Sequence, residues 1–267
     1  MFVKSGELIL HVDLQGSSDA PVLVLLHSLG TNLHLWDPLI STLTQNYRVL
    51  RLDMRGHGLS EVGQGSFLIE DLAKDVLSVA DHFGIDVFSV AGVSIGGLIA
   101  QYLADSVPER LLSMVLIDTY LAPAALSIWS SIADDILNCG LDHRVQEIFS
   151  RWVTPEFRDT PSAIGMKQML CRTSAEGYAR CAEALSQITP GQPKNKKIPV
   201  LVLVGENDIV ATPTAAQEMA IARGGKLVVL RDAAHIPIIE KSDEILGEMM
   251  RFLAKNFNQT VRMETGV

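Results

Sequence analysis

Cysteine is scarce in this sequence, and basic residues are outnumbered by acidic ones. The three cysteines, Cys139, Cys171 and Cys181, are odd in number and form no C-x-x-C pair. We therefore expect neither a disulfide framework nor a zinc site, and a reducing, cytoplasmic setting is the default. Lys and Arg total 22 against 31 for Asp and Glu, a formal net charge of −9. Because nucleic-acid-binding proteins concentrate basic residues, this balance argues against a nucleic-acid partner.

Long apolar runs are also rare. The N-terminal residues, MFVKSGELILHVD, contain no unbroken apolar segment of the kind that forms the centre of a signal peptide. Residues 87–104 carry no charge over a length that could just span a bilayer. Glycines interrupt this stretch in its middle, so it is better explained as a buried strand, a glycine-rich turn and a helix. We therefore expect a soluble protein with no membrane partner.

Short apolar runs of strand character alternate with segments of helical periodicity. The predicted strands cover residues 22–27, 47–53, 87–91, 112–118, 200–204 and 227–230. The predicted helices cover residues 35–45, 70–83, 95–105, 214–222 and 240–255. This alternation predicts an α/β fold, in which a mostly parallel sheet is flanked by helices on both faces.

One part of the chain departs from the alternation. Residues 121–190 have helical character and no convincing strand pattern, and residues 190–197 (PGQPKNKK) are typical of a linker. We therefore predict a helical insertion between two strands of the sheet. The predicted division is a core of residues 1–120 and 198–267, and an insertion with its return linker at residues 121–197.

Residues 92–96 (GVSIG) form a G-x-S-x-G motif between a predicted strand and a predicted helix. This context is that of a nucleophile elbow, where a strained turn lifts the serine hydroxyl clear of the sheet and glycines let strand and helix approach closely. The N-terminus of the following helix also favours nearby negative charge. Ser94 is therefore the candidate nucleophile, and a glycine-rich turn without chemistry is the alternative.

A serine hydroxyl needs a base and an orienting acid to act as a nucleophile. In chains with this elbow the acid and then the histidine follow the serine. Of the seven histidines, only His143 and His235 follow Ser94. His143 lies in the helical insertion, whereas His235 comes directly after the last predicted strand, from where a loop can reach the serine. We predict His235 as the base.

Three carboxylates compete for the role of the acid. Asp208 and its neighbour Glu206 follow the strand predicted at 200–204, and Asp118 ends the strand before it in the chain. Catalytic groups gather at the carboxyl ends of parallel strands, which fits all three. Asp208 is preferred because its loop reaches outward before the chain turns into a helix at Pro213.

An oxyanion hole needs two preorganised backbone N–H donors. Ile95 follows the nucleophile and supplies one N–H from the start of its helix. By register with the usual H-G-x-G loop, Leu29 supplies the other from the loop after the strand predicted at 22–27. We interpret His27 as structural, pinning this loop. His57, in the segment RGHG, receives no catalytic role because glycines around a turn explain that motif.

Four segments resemble the α/β-hydrolase fold family: HSLGTNLHLW, YRVLRLDMRGHGLS, GVSIGGLIAQYLA and LVLVGENDIVATP. RWVTPEFR and EGYARCAEAL, both in the insertion, are similar to cap segments of the 3-oxoadipate enol-lactonases. Val93 and Ile95 stand where Leu and Met are common in that group. The resemblance implies an α/β-hydrolase fold with a helical cap inserted after the sixth strand. It places the nucleophile, acid and base on Ser94, Asp208 and His235.

The resemblance also implies a reaction, the hydrolysis of the enol-lactone of 3-oxoadipate through an acyl-enzyme, without metal or cofactor. This step belongs to the β-ketoadipate pathway of aromatic-compound degradation. The substrate carries a free carboxylate, so a cationic side chain should project from the cap, which usually lines the pocket. The substrate-binding candidates are Trp129, Arg151, Trp152, Arg172 and Arg180, with Lys167 behind them. The plain alternative for each arginine is a solvated side chain on a helix.

The same serine machinery leaves other functions open. A general carboxylesterase or another lactonase would act on an uncharged substrate, and perhydrolysis of short carboxylic acids could accompany either as a side activity. A hydrolase-fold receptor would bind a small ligand and signal through a partner. A dehalogenase is disfavoured, because that chemistry uses a carboxylate at the elbow, where this chain has Ser94. The sequence does not indicate an oligomeric state.

Overall fold

The computed structural model describes residues 1–123, 125–189, 193–195 and 197–265, with side chains described as far as residue 257. Within these residues eight strands form one sheet. The strands are β1 (Phe2–Ser5), β2 (Leu8–Gln15), β3 (Val22–Leu26), β4 (Arg48–Leu52), β5 (Phe88–Val93), β6 (Leu111–Ile117), β7 (Val200–Gly205) and β8 (Lys226–Leu230). The six predicted strands correspond to β3 through β8.

The sheet is mostly parallel, as the sequence predicted. Its strands lie in the order β1-β2-β4-β3-β5-β6-β7-β8. Strands β4, β3, β5, β6, β7 and β8 pair in parallel, while β1–β2 and β2–β4 are antiparallel. The two N-terminal strands were not among the predicted ones. Much of their length alternates between more and less exposed positions, a weaker signal than the continuous apolar runs of strands covered on both faces.

Ten α-helices accompany the sheet in the described residues. They are α1 (Asp37–Leu43), α2 (Ile69–His82), α3 (Ile95–Ser106), α4 (Leu126–Cys139), α5 (Val145–Trp152), α6 (Pro161–Arg172), α7 (Ala175–Ser186), α8 (Pro213–Arg223), α9 (Pro237–Glu240) and α10 (Ser242–Thr265). Each helix predicted from periodicity is present. None of the helices among the described residues is long and apolar enough to cross a membrane.

Local sequence determines where several of these helices begin and end. Helix α8 has Pro213 in its first turn, and the Thr212 side chain accepts the N–H of Ala215. A hydroxyl at this position satisfies a backbone donor that the helix cannot, and the fixed φ of proline suits the first turn. The helix ends at Gly224, whose left-handed φ of 68° is readily adopted by glycine. The predicted turn into a helix at Pro213 is confirmed.

The predicted helical insertion consists of α4 to α7, which lie between β6 and β7 in the chain. This confirms a helical segment inserted after the sixth strand. Part of the predicted return linker, residues 190–192 and 196, lies outside the described residues. The division of the chain into a core and a separate unit at residues 121–197 stays a prediction.

The parallel strands bring distant parts of the sequence to one edge of the sheet. Strands β3, β5, β6, β7 and β8 are consecutive neighbours and point the same way. Their carboxyl ends therefore lie side by side, where ligands bind in open α/β sheets. The loops that follow them contain Leu29, Ser94, Asp118, Asp208 and His235.

Candidate active site

Ser94 lies in the sharp turn between β5 and α3. Its backbone has φ 56° and ψ −116°, a strained combination for a residue with a side chain. A Cβ on Gly96 would lie 2.5 Å from the carbonyl oxygen of Leu26, and a Cβ on Gly92 would clash with the Gly96 carbonyl group. Glycine is therefore required on both sides of the serine. The serine is 8% exposed and lines a cavity of about 400 Å³.

His235 lies between the serine and an aspartate. Its Nε2 is 3.1 Å from Ser94 Oγ, and its Nδ1 is 2.8 Å from Asp208 Oδ2. The side chains of Asp208 and His235 are almost completely buried. Nδ1 next to a carboxylate carries the proton, which leaves Nε2 as the acceptor that faces the serine hydroxyl. The structure therefore brings Ser94, His235 and Asp208 together in the order that proton transfer from serine requires.

The surroundings of Asp208 stabilise its ionised form. Burial alone would raise its pKa, but the charge and hydrogen bond of His235, with further hydrogen bonds from Asp118 and the Val210 N–H, lower the pKa of Asp208 to about 2. Its Oδ1 accepts the N–H groups of Val210 and Ala211 at 2.7 and 3.0 Å. The carboxylate is thus held in one orientation, with Oδ2 directed to the imidazole.

The two alternatives considered for the acid lie in different places. Glu206 is exposed and its Oε2 is 3.4 Å from the N–H of Asp232. Asp118 is fully buried and close to both Asp208 and His235, since one polar atom of each of the three lies within 4.8 Å of the others. The imidazole nevertheless bonds Asp208 rather than Asp118.

The cluster formed by Asp118, Asp208 and His235 is also a candidate metal-binding site. Within the described part of the chain, Asp118, Asp208 and His235 are the group with suitable spacing. Both imidazole nitrogens already take part in the Asp208 and Ser94 hydrogen bonds. Asp118 Oδ1 accepts the Gly205 N–H at 2.8 Å. The donor set is therefore occupied by a hydrogen-bonded chain that ends on a serine hydroxyl, and it suits proton transfer.

Backbone N–H groups of two loops flank the serine. Ile95 is the first residue of α3, and Leu29 lies in the loop after β3 and lines the cavity. Across the described residues, neither N–H donates to a protein acceptor. Two unengaged donors beside a nucleophile can stabilise the negative charge that develops on a carbonyl oxygen.

Two buried histidines hold the loop that contains Leu29. His27 accepts the Met54 N–H on Nε2 at 2.9 Å, and its Nδ1 is 2.8 Å from the Ser28 carbonyl oxygen. His57 accepts the Gly30 N–H on Nε2 at 3.0 Å. An imidazole nitrogen that accepts must be unprotonated, so both rings are neutral. Burial lowers the pKa of His27, and burial together with the nearby His27 lowers the pKa of His57 to about 3.

These contacts agree with the prediction that His27 has a structural role and pins the loop. The hydrogen bond between His57 and the same loop was not predicted from the sequence. From the sequence, the RGHG segment is explained by glycines around a turn. The missing signal was spatial: β4, which precedes His57, lies directly beside β3, so their loops meet. His57 accepts the Gly30 N–H, whereas the Leu29 N–H donates to no acceptor among the described residues.

The cavity at Ser94 is lined by three of the five predicted substrate-binding residues. These are Trp129, Arg151 and Trp152. Arg172 and Arg180 are not among the residues that line it. Arg172 is exposed and bonds Gln168 on its own helix, and Arg180 pairs with Glu183. Which arginines of the insertion line the cavity depends on how its helices pack, and this cannot be predicted from residue type alone.

Arg144 lines the cavity and was not predicted. Its Nη1 and Nη2 pair with Asp135 and Glu147 at 2.9 and 3.0 Å, and its Nε–H is buried with no acceptor within the described chain. Arg151 pairs with the same Glu147 at 2.5 Å. Two arginines, each ion-paired with an acidic side chain, therefore belong to the lining of the cavity that contains the serine. The available signal was the i to i+7 spacing of the two arginines, which places them on one face of a helical segment.

The insertion is hydrogen-bonded to the loop that contains His235. The Ile236 N–H donates to the Trp152 carbonyl at 2.8 Å. Glu240 accepts the N–H and hydroxyl of Thr154 on one oxygen and the Ala234 N–H on the other, at distances of 2.7 to 2.9 Å. The position of the imidazole thus depends on the helices that cover the cavity as well as on the sheet.

The chain is similar to known hydrolases in sequence and in structure. Residues 21–138 match the model of a family described as alpha/beta hydrolase fold. The 3-oxoadipate enol-lactonase 2 of Acinetobacter baylyi is 33% identical over 247 residues, which cover 91% of this chain and 92% of that protein. The pimeloyl-[acyl-carrier protein] methyl ester esterase of Aliivibrio salmonicida is 29% identical over 261 residues, 90% and 94% of the two chains.

A solved structure extends the similarity to three dimensions. The enol-lactonase from Burkholderia xenovorans superposes with a TM-score of 0.91 at 32% identity, covering 95% of this chain and 100% of that one. Both the resemblance and the fold class predicted from the sequence are confirmed.

Proposed function

The chain belongs to the α/β hydrolase fold family and is a carboxylic ester hydrolase, and from this premise we propose that it hydrolyses the enol-lactone of 3-oxoadipate. One observation carries the proposal. A cavity of about 400 Å³ is lined by Ser94 and His235 and also by two arginines, Arg144 and Arg151. A nucleophile for an ester bond and two basic residues that could pair with a carboxylate therefore line one space. The similarity to the 3-oxoadipate enol-lactonase 2 of Acinetobacter baylyi supports this substrate, and the similarity to the enol-lactonase from Burkholderia xenovorans supports an enol-lactone in general.

In the proposed first half-reaction, Ser94 Oγ attacks the lactone carbonyl carbon while His235 Nε2 takes the hydroxyl proton. The N–H groups of Leu29 and Ile95 donate to the oxyanion of the tetrahedral intermediate. Its collapse breaks the ring C–O bond, and the proton on His235 passes to the departing enol oxygen. Because the substrate is a ring, both halves remain attached as an acyl-enzyme, and the enol becomes a ketone.

The second half-reaction consumes one water molecule. His235 removes a proton from the water as its oxygen attacks the acyl carbon, and the same N–H groups hold the second oxyanion. Ser94 Oγ leaves and recovers its proton from His235. The balance is one lactone and one water giving one ring-opened keto-dicarboxylate. Asp208 keeps its negative charge throughout and stabilises the transient imidazolium.

The carboxylate of the substrate is proposed to bind at Arg144 and Arg151. A charge-assisted hydrogen bond in a partly buried site contributes about 1.5–3 kcal/mol, or roughly ten- to a hundredfold in kcat/KM. Wild-type enzyme should therefore prefer the charged lactone over its neutral methyl ester by a factor in this range. Arg144→Met and Arg151→Met, which keep bulk and remove the donors, should each reduce that preference. Arg144→Lys should give an intermediate ratio, since lysine keeps the charge without the planar fork.

The matched controls are Arg172→Met and Arg180→Met, which remove arginines of the same insertion outside the cavity. They should leave the charged-to-neutral ratio unchanged. The ratio is measured from steady-state kcat/KM on both compounds, with p-nitrophenyl esters as a neutral reference. A wild-type preference for neutral esters, with no effect of Arg144 or Arg151, would refute the proposed substrate.

That outcome would favour a general esterase using the same serine. The similarity to the methyl ester esterase of Aliivibrio salmonicida supports this second candidate. The catalytic residues would be the same, but the enzyme would not recognise a carboxylate on the substrate.

A further inference from the structure

Asp118 directly follows β6 and lies beside the proposed triad. It is completely buried, and its backbone has φ 43°, in the left-handed region. Asparagine and aspartate are the non-glycine residues that visit this region most readily, at some cost. Its N–H donates to the Leu203 carbonyl at 2.9 Å, and its Oδ1 accepts the Gly205 N–H at 2.8 Å. The backbone and one oxygen are thus held by β7.

The other oxygen of Asp118 lacks a donor. Oδ2 is buried and no described group donates a hydrogen bond to it. The Asp118 carboxyl lies beside Asp208 and His235, because one polar atom of each of these three residues lies within 4.8 Å of the others. An ionised carboxylate only accepts hydrogen bonds, so an ionised Asp118 would present an unsatisfied oxygen to another carboxylate. A proton on Oδ2 removes both difficulties, because the O–H group can donate to Asp208.

The charges that face Asp118 favour the protonated form. Asp208 approaches from the loop after β7, Glu240 from α9, and His235 from the loop after β8. The imidazole directs both nitrogens elsewhere, to Asp208 and Ser94. Burial raises the pKa of Asp118 well above its usual range, and the Asp208 charge raises it further, against the opposing Gly205 N–H. Two like charges in contact in a buried site cannot both ionise readily.

We propose that Asp118 is a neutral carboxylic acid in the working enzyme, and that its Oδ2–H donates to Asp208 and positions that carboxylate against His235. Asp208 then has donors on every side: Val210, Ala211, His235 and Asp118. The pair carries a single negative charge. Asp118 does not touch substrate and acts through Asp208, as a positioning residue. This inference rests on the proposed roles of Ser94, His235 and Asp208, and it is independent of the substrate.

The first test compares Asp118→Asn with Asp118→Gly, assayed on a p-nitrophenyl ester. An amide can donate from Nδ2 to Asp208 and accept the Gly205 N–H on Oδ1, so it reproduces both contacts of the protonated acid. Glycine tolerates the positive φ and removes both contacts. Asp118→Asn should keep kcat/KM within about threefold of wild type, and Asp118→Gly should lose about tenfold or more, the usual effect of losing a hydrogen bond to a charged group.

The acidic limb of the kcat/KM–pH profile distinguishes a positioning role of Asp118 from a purely structural role. Asp118→Asn conserves the net charge beside His235, so the midpoint of that limb should stay in place. Asp118→Gly leaves Asp208 more basic, which holds the imidazole proton more tightly and should move the midpoint to higher pH. If Asp118 were ionised, Asp118→Asn would delete a negative charge and move the midpoint to lower pH. That shift would overturn the proposal.

A spectroscopic measurement keeps the proposal testable if a variant folds poorly or the triad assignment fails. A protonated carboxylic acid has a C=O stretch separated from those of ionised carboxylates. At neutral pH the infrared difference between Ser94→Ala and Ser94→Ala/Asp118→Asn should contain this band, assigned by isotope labelling of aspartate. Its presence in the inactive Ser94→Ala protein does not depend on turnover. Absence of the band from folded Ser94→Ala protein would show that Asp118 is ionised.

Discussion

A buried neutral Asp118 should make the free energy of unfolding depend on pH, and Asp118→Asn should remove that dependence. The pKa of Asp118 is raised in the folded protein by burial and by Asp208. In the unfolded chain an aspartate titrates near pH 3.9 or so. The stability contributed by this group is therefore fully present below the unfolded pKa. It is lost as pH rises toward the folded pKa, because unfolding then releases a proton that the native state retains.

The magnitude follows from linkage for a single proton. Between the unfolded and folded pKa values, each pH unit costs the wild type about 1.4 kcal/mol of unfolding free energy through this group. Asparagine has no proton to lose, and the other titrating groups are the same in both proteins, so their contributions largely cancel. The stability of Asp118→Asn minus that of wild type should therefore rise by up to about 1.4 kcal/mol per pH unit wherever the pH lies between the two pKa values.

The assay is urea unfolding at several pH values across that window, followed by circular dichroism, with reversibility checked at each point. Glu248→Gln is the control. Hydrogen bonds from Arg251 and Lys226 lower the folded pKa of Glu248, so its contribution is present above the unfolded value and lost only in more acidic solution. The stability difference for this variant should be flat from about pH 5 to pH 7. If the stability difference between Asp118→Asn and wild type is also independent of pH, Asp118 is not protonated in the folded protein. A substitution that changes only packing would alter stability by the same amount at every pH.

The remaining predictions concern the proposed triad. Ser94→Ala should abolish turnover while leaving the thermal unfolding temperature close to that of wild type, and a fluorophosphonate probe should label the wild type at Ser94 alone. Residual turnover of more than about a few per cent of the wild-type rate would contradict the role of Ser94 as nucleophile. Asp208→Asn should lower kcat by roughly 10³- to 10⁴-fold, because the amide favours the wrong imidazole tautomer, and a larger loss in Asp118→Asn would reverse the two assignments. Wild-type kcat/KM should fall in acid, because the base must be unprotonated to accept the serine proton, while Asp208, with a pKa of about 2, stays ionised. A flat profile from about pH 5 to pH 8 would contradict a histidine base. Prolonged dialysis against a chelator should not change kcat, and a loss that one divalent cation restores would show that the carboxylate cluster holds a metal.

Local patterns in the sequence were sufficient for much of the fold. Continuous apolar runs such as 200–204 gave parallel strands because a strand covered on both faces needs no polar positions. The short edge strands β1 and β2 were missed, since much of their length has one half-exposed face and resembles a polar loop. The elbow at Ser94 was recognisable because its requirements are local: a strand, small residues, a serine and a helix within a few positions.

Site residues that depend on which strands are neighbours were less accessible. Asp118 and Asp208 both follow sheet strands, and β6 and β7 are adjacent, so both carboxyls reach the imidazole. Sequence order alone could rank the two, but it could not indicate that they meet. The contact of His57 with the Gly30 loop has the same origin, because it depends on β4 lying beside β3.

The sequence by itself determined the order of strands and helices, the serine in its turn, and the histidine after the last strand. Each of these is a property of a short stretch of chain. The tertiary structure alone decided that Asp118 lies beside Asp208 and His235, and that Arg144 and Arg151 line the cavity while Arg172 and Arg180 do not. The physical reason is that burial, charge and hydrogen bonding at these positions come from groups far away in the chain, which only the packed sheet and its covering helices bring together.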